Sequence, residues 1–170
     1  MGQLGMGAML HLLGGGSEKS SSEYEGAVVK SACMVKGAAN GWHGRETDRL
    51  RVEFEDGRAI DIWDDGQSCC ESRWITTDDD PSTLVGGKLV HIAAKDGPEE
   101  RDGEWGDVTE TCFVEVQTDK GFITLTTHNS HNGYYGGFGL TITEVSACPP
   151  PSPAPAPLSR REGRDARVHF

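Results

Sequence analysis

The sequence lacks a long apolar run. None of its 170 residues lies in a stretch approaching the roughly 20 apolar residues that a membrane helix needs. No Lys or Arg precedes the short apolar run within residues 1–13, whereas a secretory signal begins with positive charge. We therefore expect a cytoplasmic protein without a membrane partner.

Basic residues are also scarce. Residues 23–148 contain 24 acids against 11 Lys or Arg. A domain with that acidic excess repels phosphate backbones, so we expect no nucleic acid at the core. Residues 149–170 carry four Arg against two acids and form a basic tail.

The two ends of the chain have too few apolar groups to pack. Residues 1–22 are dominated by Gly, Ser, Met and Leu, and residues 149–157 are Pro- and Ala-rich. Consecutive prolines lack N–H donors and fix φ, which favours an extended, solvated segment. We predict a disordered tail at 1–22, a single β domain at 23–148 and a disordered tail at 149–170.

Helical periodicity is missing, and no internal repeat is visible. Alternating or β-branched segments predict seven strands instead. They lie at residues 27–35, 49–54, 58–63, 88–94, 108–117, 122–127 and 138–145. The fold class is therefore all-β and mainly antiparallel, a compact β-sandwich or small barrel with one short helical turn. That turn is predicted at residues 80–86, where Asp80 is followed by Pro81.

Two hairpin registers follow from the patterns. A three-residue loop ending at Gly57 pairs Val52 with Ile60 and Leu50 with Ile62, keeping both pairs on one face. A four-residue loop at residues 118–121 pairs Val116 with Ile123 and Val114 with Leu125. The alternation also predicts that Cys33 and Cys112 are small core groups.

Standard catalytic motifs are absent: the chain has no phosphate-binding glycine loop, no Gly-x-Ser-x-Gly and no His-Glu-x-x-His. Two segments nevertheless concentrate polar groups, residues 64–80 and 128–138. We predict that they meet at one end of the sheet and form the functional face. The candidate binding residues are Asp64, Asp65, Glu71, Asp78, Asp79, Asn129, Asn132 and Tyr135.

These segments carry a resemblance. The runs DDGQSCCESRW, TDDD, VGGKL and THNSHNGYYGGF are similar to a small domain of unknown function that recurs in proteins of tailed bacteriophages. The similarity spans roughly residues 49–145. It implies a domain boundary and a phage-like origin, and it implies no particular chemistry.

Three chemistries remain open for these segments. Cys69, Cys70, His128 and His131 supply the thiolates and imidazoles that zinc prefers, although adjacent cysteines strain a shared tetrahedron. The run of acids at 78–80 with Asp64 and Asp65 offers oxygen ligands for calcium, but the EF-hand pattern is missing. A Cys thiolate with a His base and an Asn would form a cysteine hydrolase.

The leading hypothesis is a non-catalytic binding or assembly module without a cofactor, whose partner is a protein or a small polar ligand of unknown identity. The alternative is a cysteine–histidine hydrolase or a zinc-dependent protein. Alternation carried back from the last strand places Tyr134 in the core and Tyr135 in solvent. The sequence does not define the oligomeric state.

Overall fold

The computed structural model describes residues 21–39, 46–66, 70–102, 106–134 and 136–146. Both predicted tails fall outside these residues, except for Ser21 and Ser22, so the tail boundaries stay predictions. Within the described ranges, no helix is long and apolar enough to cross a membrane.

Within the described ranges, eight strands form two four-stranded antiparallel sheets packed face to face. In chain order they are β1 (Val29–Ala39), β2 (Glu46–Phe54), β3 (Ala59–Asp64), β4 (Glu71–Thr76), β5 (Leu89–Arg101), β6 (Val108–Thr118), β7 (Phe122–His131) and β8 (Leu140–Val145). The first sheet has the order β1-β2-β3-β8 and the second the order β4-β7-β6-β5. The predicted all-β antiparallel fold is confirmed, in its sandwich form. Helical structure in the described residues is limited to two 3-10 turns, Ser21–Tyr24 and Pro81–Leu84.

Both predicted hairpin registers are confirmed. Leu50 pairs with Ile62 and Val52 with Ile60, while Val116 pairs with Ile123 and Val114 with Leu125. These residues are all buried, and together they form the centre of the core between the sheets. Gly57 closes the first hairpin with a φ of 89°, a conformation that residues with a Cβ seldom adopt.

The topology repeats after four strands, although the sequence shows no repeat. Each half is a 3-10 turn followed by a three-stranded meander, and its fourth strand joins the other half's sheet. Thus β4 pairs with β7, and β8 pairs with β3. The hydrogen bonds between the halves are reciprocal, since Gly26 N–H donates to Leu89 O and Gly86 N–H donates to Val29 O, both at 2.7 Å.

This arrangement gives the sandwich two different ends. At one end the reciprocal bonds and the buried side chains of Tyr24 and Leu84 close the core. Tyr24 stacks on Phe54 with ring centroids 5.5 Å apart, and its hydroxyl donates to Glu144. At the other end two connections cross between the sheets, one joining β3 to β4 and one joining β7 to β8. We call residues 65–70 and 132–139 the two crossovers.

Three predictions need correction. No strand is predicted between residues 63 and 88, but β4 (Glu71–Thr76) lies there, and β7 continues past its predicted end at residue 127 to His131. Cys33 is exposed rather than packed in the core, because it points to the outer face of the first sheet opposite Arg51. Cys112 is fully buried, as predicted.

Candidate functional site

The inner face of the second sheet changes from apolar to polar towards the crossovers. Along β7 the inward positions run from Ile123 and Leu125 to Thr127, Asn129 and His131. Register places Arg73 of β4 and Glu110 of β6 on either side of Asn129. One end of the core is thus built from hydrogen-bonding groups, which burial makes costly unless they are paired.

A buried ion-pair network links the two sheets at this end. Arg73 Nη1 lies 2.9 Å from Asp64 Oδ2 of the first sheet, and Arg73 Nη2 lies 3.0 Å from Glu71 Oε1. All three side chains are less than one-tenth exposed. Burial raises the pKa of Asp64, which its contact with Arg73 offsets only in part. Burial also acts to lower the pKa of Arg73, but the two carboxylates raise it overall, so the guanidinium stays charged.

Two carboxylates, Asp64 of the ion-pair network and Glu110 of β6, fix the backbone of the crossovers. Asp64 Oδ1 accepts the N–H of Gly66 at 3.0 Å and that of Gly139 at 2.8 Å. Glu110 Oε2 accepts the N–H of Gly137 at 2.6 Å. A Cβ on Gly139 would lie 2.6 Å from the nitrogen of Gly66, so the two crossovers pass each other at a distance that only glycine allows.

A cleft of about 300 Å³ lies between the crossovers. Its described lining consists of Asp65, Gly66, Arg73, Gly136, Gly137, Phe138, Gly139 and Thr141. Half of these eight residues are glycines, and the others contribute one apolar ring, one hydroxyl and two charged side chains. Its size is at the lower limit of sites for small molecules, which are about 300–1,000 Å³.

Three buried polar atoms on the inward side of β7 have no hydrogen-bond partner among the described residues. They are Thr127 Oγ1, Asn129 Oδ1 and His131 Nε2. The Asn129 amide is oriented by its donation to Glu71 Oε1 and Gly137 O, and His131 Nδ1 accepts the N–H of Gly133. His131 Nε2 therefore carries the ring proton and lies 3.7 Å from Glu110 Oε1. These atoms add unused donors and acceptors next to the crossovers.

The structure brings together four of the predicted binding residues. Asp64, Glu71 and Asn129 belong to the buried network, and Asp65 lines the cleft. Asn132 is exposed, and its side chain accepts the N–H of Tyr134 within the crossover. Tyr135 lies outside the described residues. Tyr134, predicted to be in the core, is 88% exposed, so that prediction is wrong.

Asp78 and Asp79 are separated from the others. The predicted meeting of residues 64–80 with 128–138 holds up to Trp74, which pairs with His128, and fails for residues 78–80, because β4 carries the chain to the opposite end of the sandwich. There Asp79 accepts the N–H of Thr124 at 2.7 Å, and Asp80 caps the 3-10 turn through the N–H of Ser82. Asp79 and Asp80 therefore bind backbone N–H groups at the end of the sandwich opposite the crossovers.

The predicted cysteine and histidine ligands are dispersed. His128 and His131 lie on opposite faces of the second sheet, with His128 stacked on Trp74 outside and His131 buried inside. Cys70 is exposed at the start of β4, and Cys69 lies outside the described residues. Within the part of the chain that is described, no group of three or more His, Cys, Asp or Glu residues could hold a metal ion.

Sequence reasoning missed Arg73 and Glu110. Arg73 carries the positive charge of the buried network and joins β4 to β3 of the other sheet. The sequence does contain an indication of this role, because Glu71, Arg73 and Ile75 occupy alternate positions, as residues on one face of a strand do. Glu110 lies at an inward position of a predicted strand, where an acid in an otherwise apolar face indicates a polar partner.

The fold and this site define a class of protein. It is a two-sheet β-sandwich with a polar cleft at the end where the two crossovers connect the sheets. The family described as "Domain of unknown function (DUF7448)" matches residues 25–140. The chain belongs to this family. No curated protein and no solved structure matches it.

Proposed function

We propose that this domain is a non-catalytic binding or assembly module, of the phage-like origin that its sequence resemblance implies. Its ligand occupies the cleft between the two crossovers. The observation that carries the proposal is the cleft itself, about 300 Å³ in volume and walled by residues from both predicted segments.

The walls are preorganised. Asp64 and Glu110 hold the backbone of Gly66, Gly137 and Gly139 in place, so little ordering entropy remains to be lost on binding. The lining includes backbone groups, the Asp65 carboxylate and the Thr141 hydroxyl, whose proton is donated to Gly139 O. That chemistry suits a small polar group, either free or presented by a partner protein.

The reactive groups support binding rather than catalysis. The Asp64, Glu71 and Arg73 side chains satisfy one another and the crossover backbone. Burial, with a smaller effect of nearby acids, raises the pKa of the Cys112 thiol to about 11, so it stays protonated at neutral pH. The zinc or hydrolase alternative has no comparable support among the described residues.

Binding at the cleft is tested by NMR titration of the ¹⁵N-labelled full chain with amino acids, sugars, polyamines and dicarboxylates. We expect shifts at the amides of Gly66, Gly136, Gly137 and Gly139, and a weaker response in Asp65→Ala. Asp78→Ala is the control, because it removes an exposed acid at the opposite end. Shifts confined to residues 78–80, or one zinc per purified chain by mass spectrometry, would contradict the proposal.

A further inference from the structure

The outer face of the second sheet carries an uncharged surface across three strands. We call it the hydroxyl face and define it by three cross-strand rows: residues 72, 130 and 109, residues 74, 128 and 111, and residues 76, 126 and 113. Six of these nine positions are hydroxyl side chains, namely Ser72, Thr76, Thr109, Thr111, Thr126 and Ser130. None of the nine is Asp, Glu, Lys or Arg.

An aromatic pair lies in the central row. Trp74 is 39% exposed and stacks on His128, with ring centroids 4.8 Å apart and planes 14° from parallel. His128 Nε2 lies 3.4 Å from the Thr76 hydroxyl. Burial lowers the pKa of His128 below its ordinary value, so the imidazole is neutral at pH 7. Trp74 is therefore an oriented aromatic surface among neutral donors and acceptors.

The fold does not require this face to be uncharged. The corresponding outer face of the first sheet carries Arg49 and Arg51, which both pair with the buried carboxylate of Asp61. Trp63 on that face is only 9% exposed and lies under Arg49. The two halves share one topology, so the exposed Trp and the hydroxyl rows are properties of the second sheet's own sequence.

The chemistry of the hydroxyl face limits the classes of partner that it can bind. The nine positions hold no Lys or Arg, and the neighbouring Lys95, which pairs with Phe113, lies 3.5 Å from the Glu115 carboxylate. A nucleic acid is therefore a poor fit. Ser and Thr contribute little to protein–protein hot spots, and one exposed Trp with Phe113 makes a small apolar centre. A sugar ring has an apolar C–H face that packs on an aromatic ring and a rim of hydroxyls that donate and accept.

We propose that the hydroxyl face binds a neutral carbohydrate, with one sugar ring stacked on Trp74 and its hydroxyls bonded to the neighbouring Thr and Ser side chains. His128 orients the indole and donates no charge. This surface is distinct from the cleft, because Trp74 and Arg73 point to opposite faces of β4. The experiment that tests carbohydrate binding therefore does not depend on the identity of the ligand in the cleft.

The experiment is affinity electrophoresis of the full chain in native gels containing soluble starch, laminarin, hydroxyethylcellulose or galactomannan, with hyaluronan as an anionic comparison. We expect retardation in at least one neutral gel and none with hyaluronan. Trp74→Ala should weaken binding about tenfold or more, the scale of one lost aromatic contact. Thr126→Val, which keeps the strand and removes one hydroxyl, should weaken it less.

Tyr134→Ala is the matched control, because Tyr134 is an exposed aromatic residue off this face. Melting temperatures of all variants exclude unfolding, and Trp74→Phe keeps an aromatic ring if Trp74→Ala is unstable. The proposal is overturned if no neutral polysaccharide retards the wild type, or if both Trp74 variants and Thr126→Val migrate as the wild type does. Equal loss in Tyr134→Ala would also overturn it.

Discussion

Arg73 of the second sheet and Asp64 of the first form an ion pair of 2.9 Å across the sandwich. The same Asp64 carboxylate accepts two N–H groups from the crossovers. One buried carboxylate thus joins the sheets and shapes the cleft.

Asp64→Asn should strongly destabilise the domain. The substitution removes the charge of Asp64, which is a buried partner of Arg73. Breaking a buried ion pair costs about 3–5 kcal/mol. Urea denaturation followed by tryptophan fluorescence measures the free energy of unfolding. Asp56→Asn is the control, since Asp56 pairs with Arg58 on the surface and exposed pairs contribute about 0–1 kcal/mol. Similar losses in the two variants would mean that the buried pair has no special role.

Gly57→Val should cost about 1–2 kcal/mol because of backbone strain. The φ of Gly57 is 89°, and nothing lies within 4 Å of a Cβ built there, so no steric clash contributes. Gly57→Asn should cost less, because Asn tolerates positive φ. Chemical denaturation compares the two variants, and a neutral Val substitution would indicate a different loop conformation.

Tyr134→Ala should leave the melting temperature nearly unchanged, because the side chain is 88% exposed. Phe138→Ala, four residues later, should lower it, since Phe138 packs against the core while only partly buried. We expect a loss of about 1–3 kcal/mol, below the 3–5 typical of a fully buried Phe. Differential scanning calorimetry distinguishes the two, and equal shifts would show that the crossover packs differently.

Stability should decline at high pH through Tyr24. Burial and the hydrogen bond to Glu144 raise its pKa from 10.0 to about 12. The neutral hydroxyl is thus favoured by folding, and its contribution is complete below pH 10 and disappears as the pH rises through 12. Between pH 10 and pH 12, the unfolding free energy of Tyr24→Phe should fall less than that of the wild type. If the two proteins show the same pH dependence, other groups cause the fall.

Cysteine alkylation should distinguish the exposed from the buried thiols among the described residues. Cys33 and Cys70 are exposed, whereas Cys112 is buried with its pKa raised to about 11. Iodoacetamide at pH 7.5, followed by peptide mass spectrometry, should label Cys33 and Cys70 in the native protein and Cys112 only after unfolding. A labelling rate at Cys70 far above that of Cys33 would favour the hydrolase alternative.

The hairpins were predictable because apolar alternation fixes register, and a slip of one residue exposes Val52 and Ile60 together. β4 was missed because its inward positions begin with Glu71 and Arg73, which do not read as a buried face. Tyr134 was misassigned because alternation cannot be carried back from β8 through a crossover that changes sheets. Gly137, with a φ of 81°, interrupts it.

The duplicated topology left few traces in the sequence. Ser22 and Ser82, and Gly26 and Gly86, occupy equivalent positions, and the buried side chains between them are Tyr24 and Leu84. Packing needs only apolar groups of suitable size at such positions, so identity is not maintained. The cleft depends on the crossovers, which differ in length and composition and could not be derived from one another.

The exchange of fourth strands determines when the domain can fold during synthesis. β3 is paired on one side by β2, but its other partner, β8, is the last strand of the described residues. Until residue 145 leaves the ribosome, the hydrogen-bonding edge of β3 is open to pairing with other chains. Pairing between such distant segments is slow, so we expect the domain to fold only after β8 has been synthesised. A fragment ending before β8 should accumulate as aggregate rather than as half a sandwich.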